Sequence, residues 1–235
     1  MKAILLAAGR GTRISRNIKN VPKSTLPING KSLIKLNVEH FLEIGCEVSV
    51  VIGYERGLIE KELEGLKVKF YYNPFYKVTN SIGSIWMARH ELEDDDCIIM
   101  NADVYYEPAL LDKLLEADKE VVMATDSSRI EIGDYFFSTD KDGLIVKYGK
   151  GMPIEDRTGE YVGIAVVKQS FGKIFKEEIN RLVWEEKYDM WWENALYELA
   201  DKGTPIATID VKGLFWSEID YFDDYLRIVE YAKKH

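Results

Sequence analysis

The chain opens on the stretch Lys2–Lys23, which reads KAILLAAGRGTRISRNIKNVPK. The segment from Lys2 to Ala7 is almost entirely apolar and predicts a buried strand. An irregular segment follows, with two glycines, three arginines and finally the pair Pro22-Lys23. Glycine lets backbone N–H groups approach phosphate oxygens closely, and arginine and lysine add positive charge. The stretch therefore predicts a phosphate-binding loop directly after a strand.

Two common phosphate-loop templates do not fit this stretch. A Walker A loop ending at Gly30-Lys31-Ser32 needs an earlier glycine, and Thr25 stands in its place. The dinucleotide fingerprint G-x-G-x-x-G finds Gly9 and Gly11, but its third glycine is replaced by Ile14. What remains is a loop that wraps a nucleotide triphosphate and supplies its own cations.

The composition limits the classes of function. Of 235 residues, 46% are hydrophobic and 30% charged, which is ordinary for a globular protein of one large α/β domain or two small ones. The net charge of -9 argues against nucleic acid or an anionic membrane as a partner. No apolar run suits a membrane span, and a strand directly after Met1 predicts no signal peptide. Two cysteines without a CxxC pair argue against zinc and suggest reduced thiols in the cytoplasm.

The first half of the chain alternates strand and helix patterns, which predicts a mainly parallel, doubly wound sheet. The predicted strands are Lys2–Ala7, Glu47–Tyr54, Lys67–Asn73, Cys97–Asp103 and Glu120–Thr125. The predicted helices are a stripe from Ile34 to Phe41, then Gly57–Gly65, Ser81–Leu92 and a helix around Leu110–Leu115.

The second half has a different pattern. A hairpin with its turn at Asp142-Gly143 and a long apolar strand, Glu160–Lys168, come first. We interpret residues 1–235 as one domain, with a nucleotide-binding half (1–126) and an acceptor-binding half (127–235). The remaining predicted elements are helices Phe171–Trp184 and Met190–Lys202, strands Ile206–Ile209 and Leu214–Trp216, and a last helix from Asp220 with the stripe Tyr221, Tyr225, Leu226 and Val229.

The motif LLAAGRGTR followed by Pro22-Lys23 resembles the signature of the sugar-phosphate nucleotidyltransferase family. From Met1 to about Tyr231, the chain is most similar to the small bacterial cytidylyltransferases that act on phosphocholine or 2-aminoethylphosphonate. The resemblance implies a Rossmann-like α/β fold, with one doubly wound, mainly parallel mixed sheet and a C-terminal substrate-side extension. Its N-terminal motif is specific for nucleotidyl transfer and far less specific for the acceptor.

The resemblance also implies roles for the loop. Arg13 would hold the β- and γ-phosphates, and Lys23 would stabilise charge on the α-phosphate, which makes these two the predicted catalytic residues. The alternative, that they are solvated loop charges, suits a lone basic residue better than this combination after an apolar strand. The residues predicted to bind the nucleotide are Leu6, Ala8, Gly9, Gly11, Thr12, Asn80, Ser84, Asn101 and Ala102. For Asn80 and Ser84, contact with the cytosine edge competes with simple helix capping by Asn80 or Ser81.

Two aspartates are predicted to hold Mg²⁺. Asp103 ends an apolar strand at the edge where α/β sheets bind ligands, and the resemblance makes it a metal ligand; a turn-forming aspartate is the alternative. Asp220 matches the ligand of the family's second metal motif, with Glu218 a weaker candidate. The alternative for Asp220 is a helix N-cap, with Asp223 near the capping-box position.

The acceptor site is predicted in the second half. The stretch Tyr188–Asn194, YDMWWEN, sets aromatic rings beside acids, which suits a cationic amine. Either Trp191 or Trp192 could instead be core, because neighbours on a helix cannot share one face. The residues predicted to bind the acceptor are Lys150, Glu160, Gly163, Tyr188, Trp192 and Glu193.

These features together predict a Mg²⁺-dependent cytidylyltransferase. It would transfer CMP from CTP to a small, amine-bearing phosphate or phosphonate and release pyrophosphate, without a covalent enzyme intermediate. One alternative is a sugar-1-phosphate or polyol-phosphate nucleotidyltransferase using CTP, dTTP, UTP or GTP. Another is a nucleotide-binding protein without catalysis. Family enzymes are often homodimers, although no residue pattern here marks an interface.

Overall fold

The computed structural model of the chain describes residues 1–11, 13, 14, 18 and 21–235. The strands are β1 Lys2–Ala7, β2 Pro27–Ile28, β3 Lys31–Ser32, β4 Glu47–Ile52, β5 Val68–Tyr72, β6 Cys97–Asn101, β7 Val104–Tyr106, β8 Val121–Asp126, β9 Phe136–Thr139, β10 Ile145–Gly149, β11 Gly159–Val167, β12 Ala207–Asp210 and β13 Trp216–Glu218. The helices are α1 Leu33–Glu43, α2 Arg56–Glu62, α3 Ser81–Ala88, α4 Pro108–Leu115, α5 Gln169–Trp184, α6 Asn194–Asp201 and α7 Phe222–Ala232.

The strands of both halves of the chain share one mixed sheet. Its main path has the order β5-β4-β1-β6-β11-β8-β12, and β9 and β10 extend from the side of β11. Strands β5, β4, β1 and β6 are parallel, whereas β11 runs antiparallel to β6 and β8 on either side of it. The predicted doubly wound, mainly parallel mixed sheet is confirmed, as is the hairpin of β9 and β10.

Strand β1 shows why the sheet is covered on both faces. Ala3, Leu5 and Ala7 belong to one apolar cluster, and Ile4 belongs to the cluster on the opposite face. Because side chains alternate across a strand, a continuous apolar run must be buried on both sides. Helices α1 and α4 supply residues to the first cluster, and α3, α5 and α6 to the second. The layering therefore follows directly from the apolar run in the sequence.

Four predicted elements are wrong in their limits, and the first is the helix predicted over Ser81–Leu92, which ends at Ala88. Helix α6 begins at Asn194 rather than at Met190, and the short strand β13 begins at Trp216 instead of ending there. The last helix begins at Phe222, where Asp224 accepts a hydrogen bond from the amide N of Tyr221 at 2.8 Å. Asp224 rather than Asp223 thus completes the capping box, and Asp220 is not the N-cap.

The buried face of α7 also differs from the predicted stripe. Ile228 and Ala232 are the buried residues of this helix, while Leu226 is 48% exposed. They join a third apolar cluster with Ile14 and Ile28 near the start of the chain. Contact with the N-terminal segment therefore decides which face of α7 is buried. The spacing of apolar residues within the helix does not predict that contact.

A buried ion network closes the end of the sheet where β1 begins. Glu91 is 4% exposed and accepts hydrogen bonds from Lys2, at 2.5 Å, and from Lys69 and Tyr71. Burial alone would raise the pKa of Glu91, but these hydrogen bonds outweigh it and lower the pKa to about 2. The ionised carboxylate therefore stabilises the folded chain.

Glu91→Gln is expected to lower the free energy of unfolding at pH 7 by about 3 kcal/mol, the equivalent of the shift in pKa. A depressed pKa stabilises the fold above the unfolded pKa, so wild type loses this contribution as the pH falls from about 4.5 towards 2. Urea unfolding at pH 7 and pH 3 should show the gap between the two proteins shrinking at the lower pH. Glu64→Gln, at an exposed position, is the control; a gap that does not depend on pH would contradict the assignment.

Candidate active site

A cleft of about 700 Å³ opens at the carboxyl ends of β1 and β6, the edge where α/β sheets bind ligands. A smaller pocket of about 120 Å³ shares Lys23 and Asp103 with it. Most of the residues that the sequence singled out lie here. Those that line the cleft are Leu6, Ala8, Gly9, Gly11, Arg13, Lys23, Asn80, Ser84, Asn101, Asp103, Lys150, Glu160, Gly163, Glu193 and Asp220.

Lys23 joins the two predicted metal ligands. Its Nζ lies 3.2 Å from Oδ2 of Asp103 and 2.7 Å from Oδ1 of Asp220. Strand β13 pairs with β7, and the amide N of Ile219 donates to the carbonyl of Asp103 at 3.0 Å, which brings the distant Asp220 to this place. Burial alone would lower the pKa of Lys23, but the charges of Asp103 and Asp220 raise it. Lys23 is therefore a permanent cation at neutral pH.

Arg13 is held beside the same carboxylates. Its guanidinium donates to Asp220, and its Nη1 lies 3.6 Å from Oδ2 of Asp134. The next residue, Ile14, is 1% exposed and packs in one apolar cluster with Ile219, the residue before Asp220. The packing of Ile14 against the cluster of Ile219 thus brings Arg13 and Asp220 together.

Glycine is required at position 11. Gly11 has φ +62°, and a Cβ there would lie 2.6 Å from Cγ of Lys23. A Cβ at Gly9 would meet nothing within 4 Å. Gly11 therefore makes room for the lysine stem, whereas Gly9 leaves the cleft side of the loop open.

Asn80 caps the helix that follows it. Its Oδ1 accepts from the amide N of Ser81 at 2.8 Å, and its Nδ2 donates to the carbonyl of Asp189 at 3.2 Å. The capping alternative thus holds for Asn80. Ser84 is 5% exposed, and its Oγ accepts from Nδ2 of Asn73 at 3.2 Å. Contact of either residue with a nucleobase stays a prediction.

Trp192 does not line the cleft, in contrast to its predicted contact with the acceptor. It is fully buried, and its indole N–H donates to Oδ1 of Asn101 at 3.0 Å. The amide of Asn101 then donates through Nδ2 to Oε1 of Glu193 at 3.3 Å. Because α6 begins only at Asn194, the two tryptophans lie in a turn, and Trp191 takes the place in the cleft wall. Trp192 orients Asn101 and Glu193 from behind.

The aromatic rings of the cleft wall pack mainly against one another. Tyr135 stacks on Tyr197 with ring centroids 5.4 Å apart, and Tyr148 stacks on Tyr197 at 4.5 Å. Trp191 meets Tyr135 edge to face at 5.9 Å, and Nζ of Lys150 lies 4.9 Å from the ring centroid of Trp191. The cation over the tryptophan is therefore one that the protein supplies itself.

Three glutamates of the cleft have raised pKa values. Burial raises the pKa of Glu193 to about 7, and burial also raises that of Glu160 to about 7 although Arg129 Nε lies 2.9 Å away. The pKa of Glu218 is well above its usual value because of burial and then the charges of Asp103 and Asp220. Strongly raised carboxyl pKa values in a cleft mark candidate functional groups.

Lys150 and Gly163 line the cleft, and their contact with an acceptor stays a prediction. Lys150 Nζ lies 2.8 Å from Oδ2 of Asp134. Gly163 has φ +89°, and a Cβ there would lie 2.9 Å from Cγ2 of Val104 and 3.3 Å from Nδ2 of Asn101. A side chain at this position would displace the amide that contacts Glu193.

Two further predicted residues do not line the cleft, and a third is not described by the structure. Tyr188 is 42% exposed outside the cleft, where its carbonyl accepts from the amide N of Asn80 at 2.7 Å. Ala102 lines only the smaller pocket. Thr12, predicted to bind the nucleotide, lies outside the residues that the structure describes.

Sequence reasoning did not find several residues of the cleft wall. They come from loops and from helix α6, without a recognisable pattern, and only the fold brings them together. These residues are Tyr76, Asp134, Tyr135 and Tyr197.

The carboxylates of Asp103 and Asp220 fit a magnesium ion. Both contact the same Lys23 ammonium, so their oxygens lie close together, and carboxylate oxygen is the ligand that Mg²⁺ prefers. Within the described residues, no group of three or more acidic, histidine or cysteine side chains is arranged to hold a metal. Two carboxylates with phosphate oxygens and waters are the usual environment of this ion.

Three known proteins illustrate what this chain is similar to. The CMP-5'-(3-aminopropyl)phosphonate synthase of Streptomyces rubellomurinus is 26% identical over 94% of this chain, which spans 37% of that protein's length. The CTP:phosphoglutamine cytidylyltransferase of Campylobacter jejuni is 26% identical over 95% of this chain and 97% of its own. The structure of CTP:phosphocholine cytidylyltransferase from Streptococcus pneumoniae superposes with a TM-score of 0.81 at 21% identity, over 98% of both chains.

The family is established by a match to a family model over most of the chain. Residues 3–175, which include the glycine-rich loop, Lys23 and Asp103, match the model of the MobA-like NTP transferase domain. Across residues 1–11, 13, 14, 18 and 21–235, no helix is long and apolar enough to cross a bilayer. The chain belongs to the family of MobA-like NTP transferase domains, whose members are nucleotidyltransferases.

Proposed function

We propose that this protein transfers CMP from CTP to a small, amine-bearing phosphate or phosphonate and releases pyrophosphate. One observation carries the proposal. Lys23 lies between Asp103 and Asp220 at the foot of a glycine-rich loop, in a cleft at the carboxyl edge of the sheet. Nucleotidyl transfer needs positioning of the reacting groups and neutralisation of phosphate charge. A cleft in which cations lie beside carboxylates that could hold a metal provides both.

The chain's own groups account for most of the chemistry. The acceptor's phosphate or phosphonate oxygen is already ionised, so no general base is needed to activate it. Lys23 would stabilise charge on the oxygens of the α-phosphate, and Arg13 would hold the leaving pyrophosphate. When bound at Asp103 and Asp220, Mg²⁺ would neutralise phosphate charge. The glycine-rich loop would orient the triphosphate through its backbone N–H groups.

The acceptor wall supports an amine-bearing substrate. Glu193 and Glu160 are buried and Glu218 is half-buried beside the cleft, and a neighbouring positive charge would stabilise the ionised form of each. Two relatives, a CMP-5'-(3-aminopropyl)phosphonate synthase and a CTP:phosphoglutamine cytidylyltransferase, are named for nitrogen-containing acceptors. A sugar phosphate has no cation to place against these carboxylates.

A pyrophosphate-release assay with Mg²⁺ tests the proposal. CTP, UTP, GTP and dTTP are each combined with 2-aminoethylphosphonate, 2-aminoethyl phosphate, choline phosphate and glucose 1-phosphate. We expect CTP with an amine-bearing acceptor to exceed every other pair in kcat/KM by at least about tenfold. Faster release with glucose 1-phosphate would establish a sugar-phosphate nucleotidyltransferase instead, and nucleotide binding without any release would exclude catalysis.

The remaining proposals concern which part of the chain binds each substrate, the cellular location and the oligomeric state. We infer that residues 1–126 hold the nucleotide and 127–235 the acceptor, as the loop and the aromatic wall suggest. A substrate such as CTP supports a cytoplasmic location. A homodimer, which the family resemblance implies, is measurable by light scattering coupled to size-exclusion chromatography.

A further inference from the structure

Lys150 follows β10 and stands between two glycines, Gly149 and Gly151. A Cβ at either glycine would meet nothing within 4 Å, so neither is packed closely against a neighbour on that side. Glycine also restricts the backbone less than any other residue. The ammonium of Lys150 therefore depends on contacts with other segments for its position.

Two segments hold this ammonium at the cleft. Nζ of Lys150 lies 2.8 Å from Oδ2 of Asp134, in the loop between β8 and β9, and 4.9 Å from the ring centroid of Trp191. The same oxygen of Asp134 lies 3.6 Å from Nη1 of Arg13. All four residues line the cleft. One carboxylate oxygen thus lies between a cation of the glycine-rich loop and a cation from the second half of the chain.

Asp134 is itself held in place by Glu160. Oε1 of Glu160 accepts a hydrogen bond from the amide N of Asp134 at 2.9 Å, and Nε of Arg129, in the same loop, lies 2.9 Å from Oε2. A Cβ at Gly133 would lie 2.5 Å from Cδ of Glu160, so a larger residue there would displace this carboxylate. Because Glu160 is buried in β11, these contacts attach the loop that carries Asp134 to the sheet.

The charges of Arg13, Asp134 and Lys150 leave this group able to attract an anion. Burial alone would raise the pKa of Asp134, but the hydrogen bond from Lys150 and the charges of Lys150 and Arg13 lower it. Asp134 is therefore an anion between two cations at neutral pH, and the group of three keeps one positive charge. An ammonium has three N–H donors, so Lys150 can donate to Asp134 and to a ligand oxygen at the same time.

We propose that Asp134 is a positioning residue, which holds the ammonium of Lys150 at the cleft so that it binds the phosphate or phosphonate group of the acceptor. The inference rests on the proposed function and concerns the anionic end of the acceptor. The ring of Trp191 supports the same ammonium from another side. A cation that is fixed before binding loses less conformational freedom when the ligand arrives, and the ligand is therefore bound more tightly.

The test removes each partner of the ion pair, and then both together. Asp134→Ala is expected to raise the KM for the acceptor by about fivefold or more, with a smaller effect on kcat, as loss of a hydrogen bond to a charged group predicts. The KM for CTP should stay within about twofold, since the longer contact with Arg13 contributes little. In a Lys150→Met background, Asp134→Ala should change the acceptor's KM by less than about twofold, because its effect passes through Lys150.

Asp156→Ala is the matched control. Asp156 also pairs with a lysine of β10, and Nζ of Lys147 lies 2.9 Å from its Oδ2, but neither residue lines the cleft. Its KM for the acceptor should equal that of wild type. Asp134 and Lys150 are both partly exposed, so their ion pair contributes little to stability, and Asp134→Ala should unfold within about 2 °C of wild type. A raised KM would then come from the cleft rather than from loss of the fold.

Two results would overturn the inference. One is an unchanged or lower KM for the acceptor in Asp134→Ala, as expected if this carboxylate only competes with the acceptor for Lys150. The other is an effect of Asp134→Ala that is equally large in the Lys150→Met background. If no acceptor gives pyrophosphate, the proposed function fails on its own. A phosphorus NMR titration with methylphosphonate then tests the inference separately: Asp134→Ala and Lys150→Met should weaken binding to the same extent, and wild-type affinity in both would contradict it.

Discussion

Lys23→Met is expected to lower kcat for pyrophosphate release by about a hundredfold or more. Methionine keeps much of the length and the apolar stem but removes the charge that lies 3.2 Å from Asp103 and 2.7 Å from Asp220. Because the charge acts mainly where the α-phosphate gains negative charge in the transition state, kcat should fall much more than the KM for CTP rises. Steady-state assays with the best nucleotide and acceptor measure both parameters.

Lys31→Met is the matched control for this experiment. Lys31 stands in the Walker-like triplet Gly30-Lys31-Ser32, but its Nζ lies 2.7 Å from Oε2 of Glu39 at the surface, outside the cleft. Its kcat should stay within about twofold of wild type, since surface ion pairs contribute little. Near-normal turnover in Lys23→Met, with turnover reduced in Lys31→Met, would reverse the assignment of the two lysines.

Gly172→Ala is expected to lower the free energy of unfolding by about 3 kcal/mol or more. Gly172 lies in the first turn of α5, and a Cβ there would lie 1.7 Å from the carbonyl O of Leu92 and 2.8 Å from its carbonyl C. These are backbone atoms, so no rotation of a side chain relieves the overlap. Equilibrium unfolding in urea measures the loss, with circular dichroism as the signal.

Gly57→Ala provides the comparison, because Gly57 also lies in a helix but its Cβ would meet nothing within 4 Å. Alanine has the higher helix propensity, so this variant should be as stable as wild type or gain up to about 1 kcal/mol. Equal stability of the two variants would show that α5 can move away from Leu92, and the close backbone packing would then be unimportant.

The described sheet follows closely from local patterns. An apolar run such as Lys2–Ala7 can be buried on both faces only in a covered sheet, and its alternation with helical stripes predicts the doubly wound order. The predicted limits of helices and strands were wrong where a contact with a residue far away in the sequence decides the limit. Met190–Glu193 reads as helix by composition, yet the amide N of Trp192 donates to the side chain of Ser81, far away in the sequence, and α6 begins later.

The candidate site also has one part that local sequence patterns predict and one part that they do not. The glycine-rich motif and Pro22-Lys23 are local, so they identified the nucleotide end, and the family follows from them. The acceptor wall was only partly predictable. From the sequence, either Trp191 or Trp192 could face the cleft. Trp192 is buried behind Asn101, and Trp191 therefore lies at the surface of the cleft. The roles of all these residues stay predictions that the assays above can test.

The sequence by itself thus determined the fold class and the family, and it predicted the phosphate end of the cleft, because each depends on residues that are close in the chain. Only the tertiary structure decided which carboxylates and rings line the cleft. Glu193 and Tyr161 come from a turn before α6 and from β11, and no periodicity links them. Their side chains line the same cleft because the fold places these distant segments side by side.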